Sequence, residues 1–168
     1  EGIVLEDEQD FDDGENIVLD GTGTFTPAPQ TFTFKVKAVL NDDELTYSFT
    51  FNNDEQPPIV LYEGNTYYFD MSDPSLYNAT VISNFQLEFS ETFNGTHNSG
   101  IAYTTGVTNS VANIISIGTT GSFIQIVVAS GAPELFYYAT NYANMTNALT
   151  THTHIPFVLG VGDNLVLD

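Results

Sequence analysis

Cysteine, tryptophan and arginine are all absent from this 168-residue chain, and Lys35 and Lys37 are its only lysines. Without cysteine there are no disulfides and no thiolate metal sites. Without arginine, and with two lysines, neither a phosphoryl-transfer clamp nor an arginine-based oxyanion site can be built. The 22 carboxylates then leave a formal charge of −20. Such a field repels phosphate backbones and anionic lipid surfaces, so nucleic acid and membrane surfaces are excluded as partners. The same charge keeps a protein soluble in high salt, where a Debye length of roughly 3 Å at 1 M removes most self-repulsion. A saline or marine setting fits. No stretch approaches the roughly 20 apolar residues of a membrane helix, and no basic, apolar, small-residue leader resembles a signal peptide, so no membrane insertion is expected.

What the chain does have is apolar and aromatic material: 42% hydrophobic residues, including nine Tyr and thirteen Phe. That is enough to offset chain entropy around one core, which rules out a disordered tail. The expected organisation is an acidic N-terminal strand segment and connector over residues 1–30, one sandwich over 31–150, and a C-terminal strand segment over 151–168.

Seven carboxylates crowd Glu6 to Glu15, flanked by Ile3-Val4-Leu5 and Ile17-Val18-Leu19, which predicts two short strands around an acidic turn. Clustered carboxylate oxygens suit calcium, but the D-x-[DN]-x-[DN]-G register is missing ahead of Gly14, so a solvated loop and no cofactor are expected. Gly14-Glu15-Asn16-Ile17-Val18-Leu19-Asp20 recurs as Gly162-Asp163-Asn164-Leu165-Val166-Leu167-Asp168, with Glu1-Gly2-Ile3-Val4-Leu5-Glu6 a weaker third copy. The motif either punctuates a repetitive polypeptide or is a chance recurrence of short Val/Leu strands, and both stay open.

Between the ends the pattern is β. After the Pro/Thr-rich connector Thr22 to Gln30, Phe32, Phe34, Val36, Ala38 and Leu40 alternate with polar partners, Asn41-Asp42-Asp43-Glu44 turns, and Leu45, Tyr47, Phe49 and Phe51 alternate again. That predicts a hairpin with one buried face. Further strands are expected over 59–62, 66–71, 80–89, 101–105, 112–117, 123–128 and 135–139, separated by turn clusters such as Glu63-Gly64-Asn65. So many short strands without an amphipathic helix predict an all-β, antiparallel Greek-key sandwich with extended terminal strands.

The segments Pro58-Ile59-Val60-Leu61-Tyr62-Glu63-Gly64-Asn65-Thr66-Tyr67-Tyr68-Phe69-Asp70, Tyr103-Thr104-Thr105-Gly106-Val107 and 135–145, in that order and spacing, resemble the cupredoxin-like module of marine tailed-phage structural proteins. The resemblance runs from about Leu45 to Met145. Copper-binding members of that fold hold the metal with two His, one Cys and a weak axial Met, because soft thiolate and imidazole suit copper. The resemblance puts the terminal Cys-x-x-His-x-x-Met loop on Ala139, Tyr142 and Met145, and the first His position on Phe85. Three of four ligands are missing. A packed, metal-free site follows, with Met145 as core filler against Tyr142 or Phe85.

His152 and His154 alternate on one strand face, a possible zinc or nickel half-site, but no third ligand is near and an exposed Thr/His strand is expected. His97 lies in the loop Asn94-Gly95-Thr96-His97-Asn98. Nothing marks a nucleophile beside a base or a carboxylate dyad, and no Gly-x-Ser-x-Gly elbow occurs, so the chain is not expected to be an enzyme. Sequons at Asn78, Asn94 and Asn144 carry little weight in an Asn/Thr-rich chain.

The expected function is therefore a virion structural protein of a marine phage, as capsid decoration, tail or fibre component, acting by self-association or contact with other particle proteins. The assembly contacts expected are Ile3, Val4 and Leu5 at one end and Leu165, Val166 and Leu167 at the other, because apolar terminal strands left unpaired are costly in a monomer. Two alternatives stand beside it. One is a subunit of an extracellular filament or surface layer; the other is a carbohydrate- or receptor-binding module using Tyr137, Tyr138 and Tyr142 as a stacking surface.

Overall fold

The computed structural model describes residues 16–18, 23–25, 28–78, 83–110, 117–153, 157–159 and 164–166. Two compact units divide the chain: Ala28–His154, and a smaller one that joins Glu1–Pro27 to Ile155–Asp168. The division drawn from sequence, at residues 30 and 150, keeps the two ends as separate segments; here they belong to one unit. In it β1 (Asn16–Val18) pairs antiparallel with β16 (Asn164–Val166), and β2 (Gly23–Phe25) with β15 (Phe157–Leu159).

The larger unit is an all-β sandwich. Its strands are β3 (Thr31–Leu40), β4 (Tyr47–Phe51), β5 (Asp54–Glu55), β6 (Ile59–Tyr62), β7 (Thr66–Asp70), β8 (Tyr77–Asn78), β9 (Ser83–Asn84), β10 (Leu87–Ser90), β11 (Val107–Asn109), β12 (Phe123–Val127), β13 (Leu135–Ala139) and β14 (Tyr142–His152). A six-stranded sheet in the order β11-β12-β7-β3-β4-β5 faces a four-stranded sheet, β10-β13-β14-β6. Among the described residues the only helical pieces are short 3-10 turns at Pro74–Leu76 and Gly95–Asn98.

The sheets are mixed, which corrects the antiparallel expectation. β3 runs parallel to β7, and β6 parallel to β14. Side-chain alternation reports which face a residue takes but not the direction of its neighbour, and a parallel neighbour needs a long crossover, so strand polarity was not readable from period alone. β3 spends its first half beside β7 and its second half beside β4.

Aromatic rings join the two layers. Phe51 and Phe69, from the larger sheet, meet Tyr137 and Phe89 of the smaller at centroid distances of 4.8 and 5.5 Å. Phe34 stacks on Phe69 at 5.3 Å. Each such ring, when fully buried, stabilises the fold by about 1.5–3 kcal/mol before ordering entropy is subtracted. The Tyr137 hydroxyl satisfies itself by donating to the Pro57 carbonyl at 3.0 Å.

The predicted hairpin is present as β3 and β4, with Ala38 opposite Phe49. Its turn is fixed by Asp43, whose carboxylate accepts from the Leu45 and Thr46 amides and the Thr46 hydroxyl; that last bond, followed by the two amides, holds its pKa below the usual value. Val36 and Ala38 are buried, while Phe32 and Leu40, at the strand's two ends, are exposed.

Several strand expectations change: β5, β8 and β11 are additional, β9 and β10 replace the single strand expected over 80–89, and residues 112–116 of the strand expected over 112–117 lie outside the described residues. Residues 101–105 form no strand: Ser90 Oγ takes the Ile101 carbonyl at 2.8 Å, so the segment follows β10 without building a ladder, and Ile101 stays exposed. The 11-residue strand β14 was expected only at its C-terminal end, in the Thr151-His152-Thr153-His154 run. A bulge shifts its register between Tyr138 and Ala139, with Asn144 at φ 70°, so Met145 and Thr146 are buried consecutively and the two-residue alternation is lost.

Candidate functional site

Three of the four positions that the resemblance assigns to metal ligands, Phe85, Ala139 and Tyr142, come together at one end of the sandwich. β13 ends at Ala139 and β14 opens at Tyr142, the two paired across the Thr140-Asn141 turn. That turn is clipped on both sides of Phe85: Thr140 N–H donates to the Gln86 carbonyl at 2.9 Å, and Asn141 Nδ2 to Asn84 Oδ1 at 2.6 Å. Phe85 and Tyr142 therefore meet edge to face at 5.6 Å. Tyr47 closes the group, 4.8 Å from Phe85 and 5.5 Å from Tyr142. The Tyr142 hydroxyl donates to the Leu45 carbonyl at 3.0 Å, which ties the hairpin turn over the cluster.

Phe85, Ala139 and Met145 are buried in the main core, and Tyr142 packs against it. Two aromatic rings, a methyl group and one thioether offer no thiolate and no imidazole. They do not fit copper, and no redox step is assigned to them.

The outer face of the smaller sheet carries a second, polar cluster. The Tyr138 hydroxyl donates to Glu88 Oε2 at 3.0 Å, and its ring lies under the 91–100 loop at Gly95. His97 stands edge-on to that ring at 6.4 Å, its Nε2 donating to the Ala139 carbonyl at 2.8 Å. Asn94, left-handed at φ 62°, accepts the Asn144 amide on Oδ1 at 2.9 Å and donates its own N–H to Thr146 Oγ1 at 3.3 Å. The loop is thus stitched to the β14 bulge.

Tyr137 and Tyr138 are fully buried and Tyr142 is half-buried. Tyr137 and Tyr138 thus present no open ring face, which a sugar stacked on them would need. His152 is exposed at the end of β14, 5.7 Å from the Tyr62 ring, and His154 lies outside the described residues. Among the described residues no three His, Asp or Glu side chains gather as a metal site would require. The acidic run Glu6 to Glu15 lies outside them too. So do Ile3, Val4, Leu5 and Leu167, whereas Leu165 and Val166 sit in β16, opposite Ile17 and Asn16. A surface groove of about 390 Å³ beside Ser90, Glu91, Ile101 and Tyr103 holds one carboxylate, that of Glu91.

No protein-family model, curated protein or solved structure matches the chain.

Burial, then the neighbouring Glu88 charge and its hydrogen bond, pushes the Tyr138 phenol up to about 12; burial alone raises Tyr137. A pKa higher in the folded than in the unfolded state gives stability that is complete below the unfolded value and lost as pH rises through the folded one. The thermal midpoint is therefore expected to hold up to about pH 10 and to fall progressively above it, and Tyr138→Phe should remove part of that slope. A midpoint indifferent to pH in that range would contradict the burial of both phenols.

Tyr47, Asn84, Asn94 and Gly95 were not singled out as site residues by sequence reasoning. Only Asn94-Gly95 carried a signal, as a turn dipeptide; the role of the others depends on which strands become neighbours.

Proposed function

We propose that the chain is a virion structural protein of the marine tailed-phage type, a β-sandwich that works through contacts with further copies and other particle proteins. The observation that carries this is the closed aromatic cluster of Phe85, Tyr47 and Tyr142, with Ala139 and Met145 in the adjoining core, at the positions where the resemblance puts copper ligands. What is left is a scaffold whose chemistry has been replaced by packing. A charge of −20 supports the same reading, because it favours solubility in salt and disfavours nucleic acid and lipid.

Light scattering on the intact chain at marine salt is the test. A mass that is a multiple of the single chain, together with discrete rings, shells or rods in negative stain, is the expected result, and the particle's geometry separates a virion component from a cell-surface filament. A strictly monomeric chain at every salt concentration would remove self-association from the proposal. Stoichiometric copper retained after purification would overturn it outright.

A further inference from the structure

The repeated heptad has a structural partner: itself. Gly14 to Asp20 and Gly162 to Asp168 share Gly, Asn, Val, Leu and Asp at matching positions and differ only by Glu against Asp and Ile against Leu. In the terminal unit Asn16–Val18 of the one pairs antiparallel with Asn164–Val166 of the other, and the register sets the middle residue of one heptad, Ile17, opposite the middle residue of the other, Leu165. Asn16 meets Val166 and Val18 meets Asn164. Antiparallel pairing of like strands about their centres has a two-fold axis at the central pair. Each segment is therefore complementary to its own sequence.

The second pairing keeps the same register. Counting forward on one strand and back on the other from Asn16 and Val166, Gly23 falls opposite Leu159 and Phe25 opposite Phe157, as observed, with no residue gained or lost. Both pairings thus belong to one antiparallel register between the segments that precede and follow the sandwich. Two-stranded ribbons of this kind are marginal on their own in water.

Every contact that β1 and β2 make with β15 and β16 is reproduced when the two halves come from different copies, because the sequences presented are the same. Closing the ribbon within one chain and between two chains then differs mainly in the connector. On the N-terminal side that connector includes Ala28, Pro29 and Gln30, all exposed and without regular structure immediately before β3, and Pro27 precedes them. Proline narrows the backbone choices of such a segment and keeps the residue before it out of the helical region. On the C-terminal side Thr153 is exposed as well.

We propose that two copies join here by exchanging arms, β1 and β2 of one copy pairing with β15 and β16 of the other in the register seen within one chain. This rests on the assembly reading above and names its partner, a second copy, and its contact. Like charge between copies opposes exchange at low ionic strength and is screened as salt rises, so the exchanged form should grow with salt.

Because the chain has no cysteine, introduced thiols have only each other as partners. Thr24→Cys and Val158→Cys lie at facing positions. The two single variants, one of them isotope-labelled, are unfolded together, refolded at high salt and oxidised gently. A disulfide-linked dimer of mixed mass is expected, at least about tenfold more abundant than from Thr24→Cys mixed with the off-register Val166→Cys, since a disulfide demands close Cα positions. Both changes placed in one chain report the ribbon itself through an internal disulfide. A mixed dimer no more abundant than the off-register control overturns arm exchange, and failure of the doubly substituted chain to close overturns the register as well. If light scattering still gives oligomers in either case, the assembly reading survives and its contact lies elsewhere; if it gives monomers, both fall together.

Discussion

A chain carrying Phe85→His, Ala139→Cys and Tyr142→His should take up one Cu(II) per molecule and turn blue, while the unaltered chain stays colourless and copper-free. The three changes supply a two-His, one-Cys set, and the resemblance assigns the weak axial position to Met145, the combination that gives blue-copper sites. Geometry favours it, because the Phe85 and Tyr142 rings meet at 5.6 Å, Ala139 pairs with Tyr142, and Met145 is buried in the same core. Before metal is added the variant should lose about 2–4 kcal/mol, from the apolar volume removed and the imidazoles left in a dry site. Copper at roughly a hundredfold over its dissociation constant should return about 2.7 kcal/mol through linkage. A variant that melts cooperatively and takes no copper would mean that the ligand positions are wrongly aligned, and the cupredoxin-like reading would lose its main support.

How much of this was legible in the sequence follows from what each signal encodes. Alternation at Phe32 to Phe51 located β3, β4 and their turn, because one face of that hairpin lies on the core. It could not report that β3 pairs in parallel with β7, since direction is set by a crossover and leaves no mark within a strand. Most of β14 was missed for a different reason: its bulge at Asn144 breaks the two-residue period where the strand joins the site. Ile101 to Thr105 had strand-like composition, yet Ser90 captures the carbonyl that a ladder would have used. At the site, it is the resemblance that puts ligand positions on Phe85, Ala139, Tyr142 and Met145, and the residues standing there were read directly from the sequence. Tyr47 was not, because it reaches Phe85 and Tyr142 only once β4 and the β13–β14 turn have been packed at the same end.

A large single-residue loss of stability is expected for Gly95→Ala. Gly95 has φ +50°, where an alanine is strained by about 1–2 kcal/mol. A Cβ there would also overlap the Tyr138 ring. That ring cannot easily retreat: it is fully buried, its hydroxyl is held by Glu88 and His97 packs on its flank. Overpacking adds about 1–3 kcal/mol, and the total, about 3 kcal/mol, should lower the thermal midpoint by roughly 6–12 °C for a chain of this size. Gly131→Ala separates the two causes, because Gly131 also has positive φ (71°) but nothing lies within 4 Å of its Cβ position; only the backbone part should remain. Combining Gly95→Ala with Tyr138→Leu should recover much of the overlap energy, which a double-mutant cycle measures directly. Equal losses at Gly95 and Gly131 would mean that the loop does not rest on Tyr138. In that case the loop would lose the packing that sets His97 against the Ala139 carbonyl and Asn94 against the β14 bulge, and the turn that closes the aromatic cluster would have to be held by Asn84, Gln86 and Leu45 alone.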